Sequence, residues 1–244
     1  MEGVQAQWRP RSVGGVLDGA LRLYLQNFLP LFGVALIQAL VIWVVELLQS
    51  PARPAVLLSV VYVVSAVTGL VVGPLLFGTA GTAATSPGWT PGSLDWSSLR
   101  RIWPFLVATV VLSVLAVFGF MLFLIPGIVL LTWWSLVPVV VVVERRRAMA
   151  ALGRSRSLVR GLFWHVFGAG LVGSLVFSLI FVLLDLVVRL PFLAHDTHLA
   201  TLWGVLVASA TTPWVPCLLA VLYTDLRARK EGTDLVAGME GVAQ

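Results

Sequence analysis

Charge is scarce in this chain: Asp, Glu, Lys and Arg together make up 11% of its 244 residues. A soluble domain carries about 25%, so a water-exposed globular fold is excluded. Cysteine is rarer still. The single Cys217 sits in an apolar run, which rules out an internal disulfide and leaves the redox compartment unreadable. Polar connections are short, the longest being residues 85–99, so there is no room for a soluble catalytic insertion. Walker, HExxH, GxSxG and paired-cysteine motifs are all missing, and with them the local signatures of the common NTPases, metalloproteases, serine hydrolases and zinc ribbons. No cleavable signal peptide is expected, because the first long apolar run starts only after Arg22 and continues beyond the length of an h-region.

What the chain does have is long apolar runs. Hydrophobic residues make up 59% and the mean hydropathy is +0.99. At about 20 residues per crossing, the length fits about six spans. The expected fold is all-α: a polytopic membrane helical bundle of about six transmembrane helices with one or two amphipathic interfacial helices. An N-terminal segment, 1–27, carries an interfacial helix over 13–26, where apolar residues recur at helical spacing. The membrane domain runs 28–224, with spans expected at 28–48, 55–84, 102–124, 128–143, 162–188 and 199–223. A polar tail, 225–244, is expected to fray. Residues 49–54 and the pair Pro126-Gly127 read as tight turns, and Pro138, Pro213 and Pro216 as kinks. Gly69-x-x-x-Gly73 offers a close helix approach. Residues 27–33 resemble 162–168, and 102–105 opens its span in a similar way, which suggests three hairpins each preceded by a surface segment.

The net charge of +5 and pI near 10.3 point to topology and not to nucleic acid. With both termini in the cytoplasm, fourteen of the sixteen basic residues lie inside; only Arg53 and Arg189 lie outside. Such a bias orients inner-membrane proteins, and an even number of spans preserves it. The expected location is therefore the cell inner (plasma) membrane, multi-pass, with both termini cytoplasmic. Alanine, valine, leucine, glycine and arginine usage suggests a bacterial source.

The arginines concentrate in 145–160. On a helical wheel of about 100° per residue, Ala148, Ala151, Leu152, Ser155, Leu158, Val159 and Leu162 fall within roughly 120°. Arg145, Arg146, Arg154, Arg156 and Arg160 occupy the remaining arc. The expectation is an interfacial helix whose apolar side dips into the acyl boundary while Arg145, Arg146, Arg147, Arg154, Arg156 and Arg160, with Trp164, meet anionic headgroups. A solvated basic loop is the plainer alternative.

Leu-Ile-Pro-Gly-Ile at 124–128, a span closing on Glu144, and Ala-Leu-Gly-Arg-Ser-x-Ser-Leu-Val-Arg-Gly-x-Phe-Trp at 151–164 form one patch. Tyr-x-Asp-Leu-Arg at 223–227 opens a second, ending at Leu235. Together they resemble the glycerophosphoryl diester phosphodiesterase membrane-domain family and related integral-membrane families. In some members of that family the membrane region is fused to a phosphodiesterase barrel, which needs about 250 residues. The resemblance thus implies the membrane part standing alone, without that activity. It also marks Glu144, Tyr223, Asp225, Arg227 and Arg229 as a family pattern, which a clamp between the surface helix and the tail would explain.

Other candidate chemistry is thin. Charges at membrane depth are expensive unless paired or useful. Glu46, Asp185 and Arg189 near the outer ends of their spans suggest either snorkelling with an i,i+4 pair or an outward-facing polar pocket. His195, Asp196 and His198 lie close in the last outer loop but are expected to be solvated, so no metal and no cofactor is expected; His165 is expected as an interfacial anchor. Two function classes follow. The first is a non-enzymatic lipid-interacting scaffold or accessory subunit for another membrane or peripheral protein. The alternative is a carrier or lipid-handling protein with a polar cavity.

Overall fold

The computed structural model describes residues 11–47, 54–86, 89–189 and 197–242. No strand occurs among them. The helices are α1 (Val13–Gln26), α2 (Phe28–Leu47), α3 (Pro54–Thr85), a 3-10 helix (Trp96–Arg101), α4 (Ile102–Leu122), α5 (Leu124–Trp134), α6 (Val137–Val143), α7 (Ala148–Val159), α8 (Phe163–Arg189), α9 (Thr197–Thr211) and α10 (Trp214–Val242). Five helical stretches are long and apolar enough to cross a membrane, and a sixth counts if α1 and α2, bent by 77°, form one span. The molecule is an all-α membrane bundle. Each of α2, α4 and α8 follows on a shorter helical segment: α1, the 3-10 helix and α7.

Local chemistry explains the breaks. Ser12 caps α1, its Oγ accepting from the Gly15 N–H at 3.2 Å. Asn27 ends that helix: its buried amide donates to the Leu23 carbonyl at 3.0 Å and accepts from Trp89 Nε1 at 2.9 Å. A satisfied side chain thus holds the bend before α2. The α4–α5 reversal falls at Phe123, in extended conformation, and not at Pro126-Gly127. Pro126 sits in the first turn of α5, where a missing N–H costs nothing. Gly127 lies so close to α4 that a Cβ on Gly119 would come within 2.9 Å of its Cα.

The expected fourth span is two helices, interrupted at Ser135 and Leu136, so that Pro138 falls in the first turn of α6. The expected sixth span breaks before Trp214 for the same reason. The tail corrects another expectation. Instead of fraying after Tyr223, α10 continues to Val242, and Asp225, Leu226 and Ala228 anchor the part just beyond Tyr223 by their burial against the bundle.

The core is densest at one end. Val137, Val139, Val140 and Val141 of α6 and Leu222, Tyr223 and Leu226 of α10 are fully buried. Helix α3 presses on this end through Gly78 and Gly81, where an added Cβ would come within 2.4 Å of Ser98 Cβ and 2.3 Å of Val143 Cγ2. Of the Gly69/Gly73 pair, only Gly73 is tight, against the Phe105 ring; Gly69 has only the Gln38 amide nearby, at 3.6 Å.

Candidate functional site: an interlocked polar end with outward arginines

Helix α6 ends at Val143 and the chain turns sharply. Arg145 adopts φ +55° and Arg147 is extended at the N-cap of α7, so the first three arginines of 145–160 precede the helix. Helix α7 then crosses the bundle end. Its buried residues, Ala148, Ala151, Ser155, Leu158 and Val159, lie on the expected apolar arc. That arc, however, is covered by α4, α5, α6 and α10 and not by acyl chains. The same holds for α1, whose Val16, Ala20, Leu23 and Tyr24 are buried in the same core, with α8 and α10 packed on the helix. Helical spacing marks a sheltered face; the neighbouring helices decide what shelters it. Ser155 Oγ donates to the Trp133 carbonyl at 2.8 Å, which satisfies one of the orphan acceptors at the end of α5.

Three carboxylates organise this end. Glu144, its side chain 12% exposed, accepts from Arg146 Nε at 2.6 Å, Arg154 Nε at 2.9 Å and the Tyr223 hydroxyl at 2.9 Å. Arg154 also reaches Glu231, which Arg227 Nε holds at 2.5 Å. The end of α6 is thereby tied to α7 and α10. Burial alone would raise the Glu144 pKa. The hydrogen bonds from Arg154 and Tyr223 and the charges of Arg154 and Arg146 outweigh that and hold it below the usual carboxylate range.

Asp225, 2% exposed, accepts from the Arg11 N–H at 2.6 Å and Arg229 Nε at 2.9 Å, and its Oδ2 lies 3.0 Å from His165 Nε2. Arg229 also donates to the Arg11 carbonyl, and Lys230 Nζ to the Arg160 carbonyl at 2.8 Å. This second knot binds residue 11, the start of α8 and the tail.

The candidate residues therefore divide. Glu144, Tyr223 and Arg227 share one network with Arg154; Asp225 and Arg229 share the other with His165 and Arg11. His165 is not an interfacial anchor: its side chain is only 15% exposed and faces Asp225. Sequence reasoning missed Arg11 and Glu231. The i,i+4 spacing of Arg227 and Glu231 was a usable signal, whereas nothing local points from Arg11 to Asp225.

No family model, curated protein or solved structure matches this chain.

Arg145, Arg147, Arg156 and Arg160 are exposed and have no carboxylate partner among the described residues. Trp164 is exposed beside Phe163. The Arg156 guanidinium lies 4.7 Å from the Trp133 ring centroid, a cation–π contact. Trp133, Gly153, Arg156, Ser157 and Arg160 line a depression of about 610 Å³. A separate apolar groove of about 350 Å³ runs between α5, α8 and α10.

The proposed outer polar pocket is only partly described. Asp185 is half-buried on α8, while the side chains of Glu46 and Arg189 lie outside the described residues. His195 and Asp196, and the His198 side chain, also lie outside them. No group of three or more His, Cys, Asp or Glu side chains suited to a metal occurs among the described residues.

Proposed function

We propose that this chain is a non-enzymatic integral membrane protein acting as a lipid-interacting scaffold or accessory subunit, which positions another membrane or peripheral protein at the inner (plasma) membrane. One observation carries the reading. The carboxylates Glu144, Asp225 and Glu231 are committed to joining α6, α7, α8 and α10 to one another, while Arg145, Arg147, Arg156 and Arg160 remain turned outward. A rigid end bearing unneutralised guanidinium groups suits an anionic boundary. Arginine placement along the sequence supports setting this end, with both termini, in the cytoplasm. The motif resemblance to the glycerophosphoryl diester phosphodiesterase membrane domain adds support for a membrane-embedded role.

The test has two arms. A Met149→Cys label on the exposed side of α7 should react only after cells are opened. The full chain, extracted in mild detergent, should retain a stoichiometric partner that is lost when Arg145, Arg147, Arg156 and Arg160 are all changed to Gln. Labelling from outside intact cells, or no retained partner, overturns the reading. The carrier alternative rests on the interruptions at Ser135 and before Trp214, since broken helices recur at transport sites. It predicts water access to Asp185 from the outer side.

A further inference from the structure

We propose that the junction of α5, α7 and α8 is a discrete site for one anionic phospholipid, its phosphate held by Arg156 and Arg160 and one acyl chain lying in the groove between α5 and α8. This deepens the lipid-interacting reading above and rests on it.

The polar half comes from α7. Arg156 and Arg160 are four residues apart, hence neighbours on one helix face; Ser157 lies beside them, its hydroxyl donating to the Arg154 carbonyl at 2.7 Å. All three are exposed and line the same depression. The cation–π contact places the Arg156 guanidinium over the Trp133 ring, 4.7 Å from its centroid. Guanidinium forks match phosphate oxygens and bind them with charge-assisted hydrogen bonds.

The apolar half is lined by neighbouring residues of α5 and by α8, the helix that follows α7. Trp133 lines the depression, and its predecessors Leu131 and Thr132 line the groove. On the other wall, Arg160 leads through Gly161 into α8, whose Val166, Phe167 and Gly170 face the same groove. The hydroxyls on the α5 wall are turned to their own backbone: Thr132 Oγ1 donates to the Ile128 carbonyl at 2.8 Å and Ser135 Oγ to the Thr132 carbonyl at 3.0 Å. The wall an occupant meets is therefore mainly carbon.

Dimensions select the occupant. The lining on α8 runs from Val166 to Ser174, which is about 12 Å of helix rise. That is close to the depth of one leaflet, or half of a hydrocarbon core about 30 Å thick. A helix from a second copy would need a groove across the whole bilayer. Headgroup donors at one end and a one-leaflet slot below them fit a lipid of that leaflet. Two guanidinium groups without carboxylates favour a headgroup of net negative charge over a zwitterionic one.

The full chain is purified in detergent and exposed to phosphatidylglycerol or phosphatidylcholine, with bound lipid counted by native mass spectrometry. Phosphatidylglycerol carrying a photoreactive group on one acyl chain maps the contact. Wild-type protein should retain phosphatidylglycerol preferentially and cross-link at Leu131, Phe167 or Leu219. Arg156→Gln with Arg160→Gln should lower retention about tenfold or more. Gly170→Phe should lower it comparably without touching charge, because a Cβ there meets nothing within 4 Å and the ring would fill the groove. Arg145→Gln with Arg147→Gln removes the same charge from the same end and should change retention less than about twofold.

Equal losses in the two arginine pairs would mean diffuse attraction and overturn the site. So would undiminished retention in Gly170→Phe, labels spread along the exposed side of α4, or cross-links joining two copies through the groove. Partner recovery from the same preparations is scored separately, so loss of the site and loss of the scaffold reading are told apart.

Discussion

The span Trp96–Leu122 has the higher mean hydropathy, 2.7, yet only 17% of its most apolar window is buried; Leu202–Gly232, at 1.9, is 61% buried. Phe163–Leu186 sides with the first, at 2.4 and 17%. In water that ranking would be reversed. Lipid tails are as apolar as leucine, so hydropathy gives no reason to bury one helix over another. Close packing and polar pairing select the inner helices instead. Helix α10 brings Ala220, Tyr223 and Asp225 inward, while the turn between α4 and α5 leaves Met121, Phe123 and Ile125 exposed. The polar end holds the molecule together, and the apolar end is dressed for its solvent.

The sharpest way to break that contrast is Asp225→Ala. It leaves Arg229, His165 and the Arg11 N–H without their shared acceptor and should cost about 3–5 kcal/mol, read by denaturant unfolding in detergent. A loss below about 1 kcal/mol would mean that the knot adds little. Next, Leu222→Ala in the core should cost about 2–5 kcal/mol, whereas Leu179→Ala on the exposed side of α8 should stay within about 0.5 kcal/mol, since lipid refills the space. Equal costs would show that α8 is covered by something other than lipid.

Gly78→Ala should cost about 1–3 kcal/mol, because the new methyl group collides with Ser98 and Val142. Gly168→Ala meets nothing within 4 Å and should be neutral, or stabilising by up to about 1 kcal/mol through helix propensity. Thermal unfolding of the two variants compares a tight crossing with an open one.

The smallest effect concerns pH. Glu144 has a depressed pKa in the folded state, so its contribution is complete above the ordinary carboxylate pKa of about 4.3 and is lost as the pH falls through the lower folded value. The clamp should therefore be insensitive to pH near neutrality and loosen on acidification below about pH 4. Glu144→Gln should flatten that part of the stability profile, measured by tryptophan fluorescence across a pH series.

Much of the fold was legible because its signals are local. Apolar runs give helices and their approximate ends, and the sheltered arc of α7 follows from residue spacing alone. Pro126-Gly127 misled because proline is as acceptable in the first turn of a helix as in a reversal. The tail misled because its polar composition resembles a solvated end, although Asp225 and Leu226 are buried. The candidate site was half legible. Glu144, Arg154 and the 223–229 pattern stood out as charged residues at a membrane boundary, and Glu231 could have been found from its spacing to Arg227. Arg11 and His165 could not, since they meet Asp225 across 214 and 60 residues of sequence.

By itself the sequence determined a helical chain apolar enough to cross a membrane, with a definite sheltered face on α7. Those properties depend on composition and on periodicities of a few residues, which no distant contact can change. Tertiary structure alone decided that α7 rests on protein, that two separate knots hold the polar end, and that an apolar groove opens between α5, α8 and α10. Each depends on which helices come together, and in a solvent as apolar as the side chains themselves, glycine clearances and buried ion pairs make that choice.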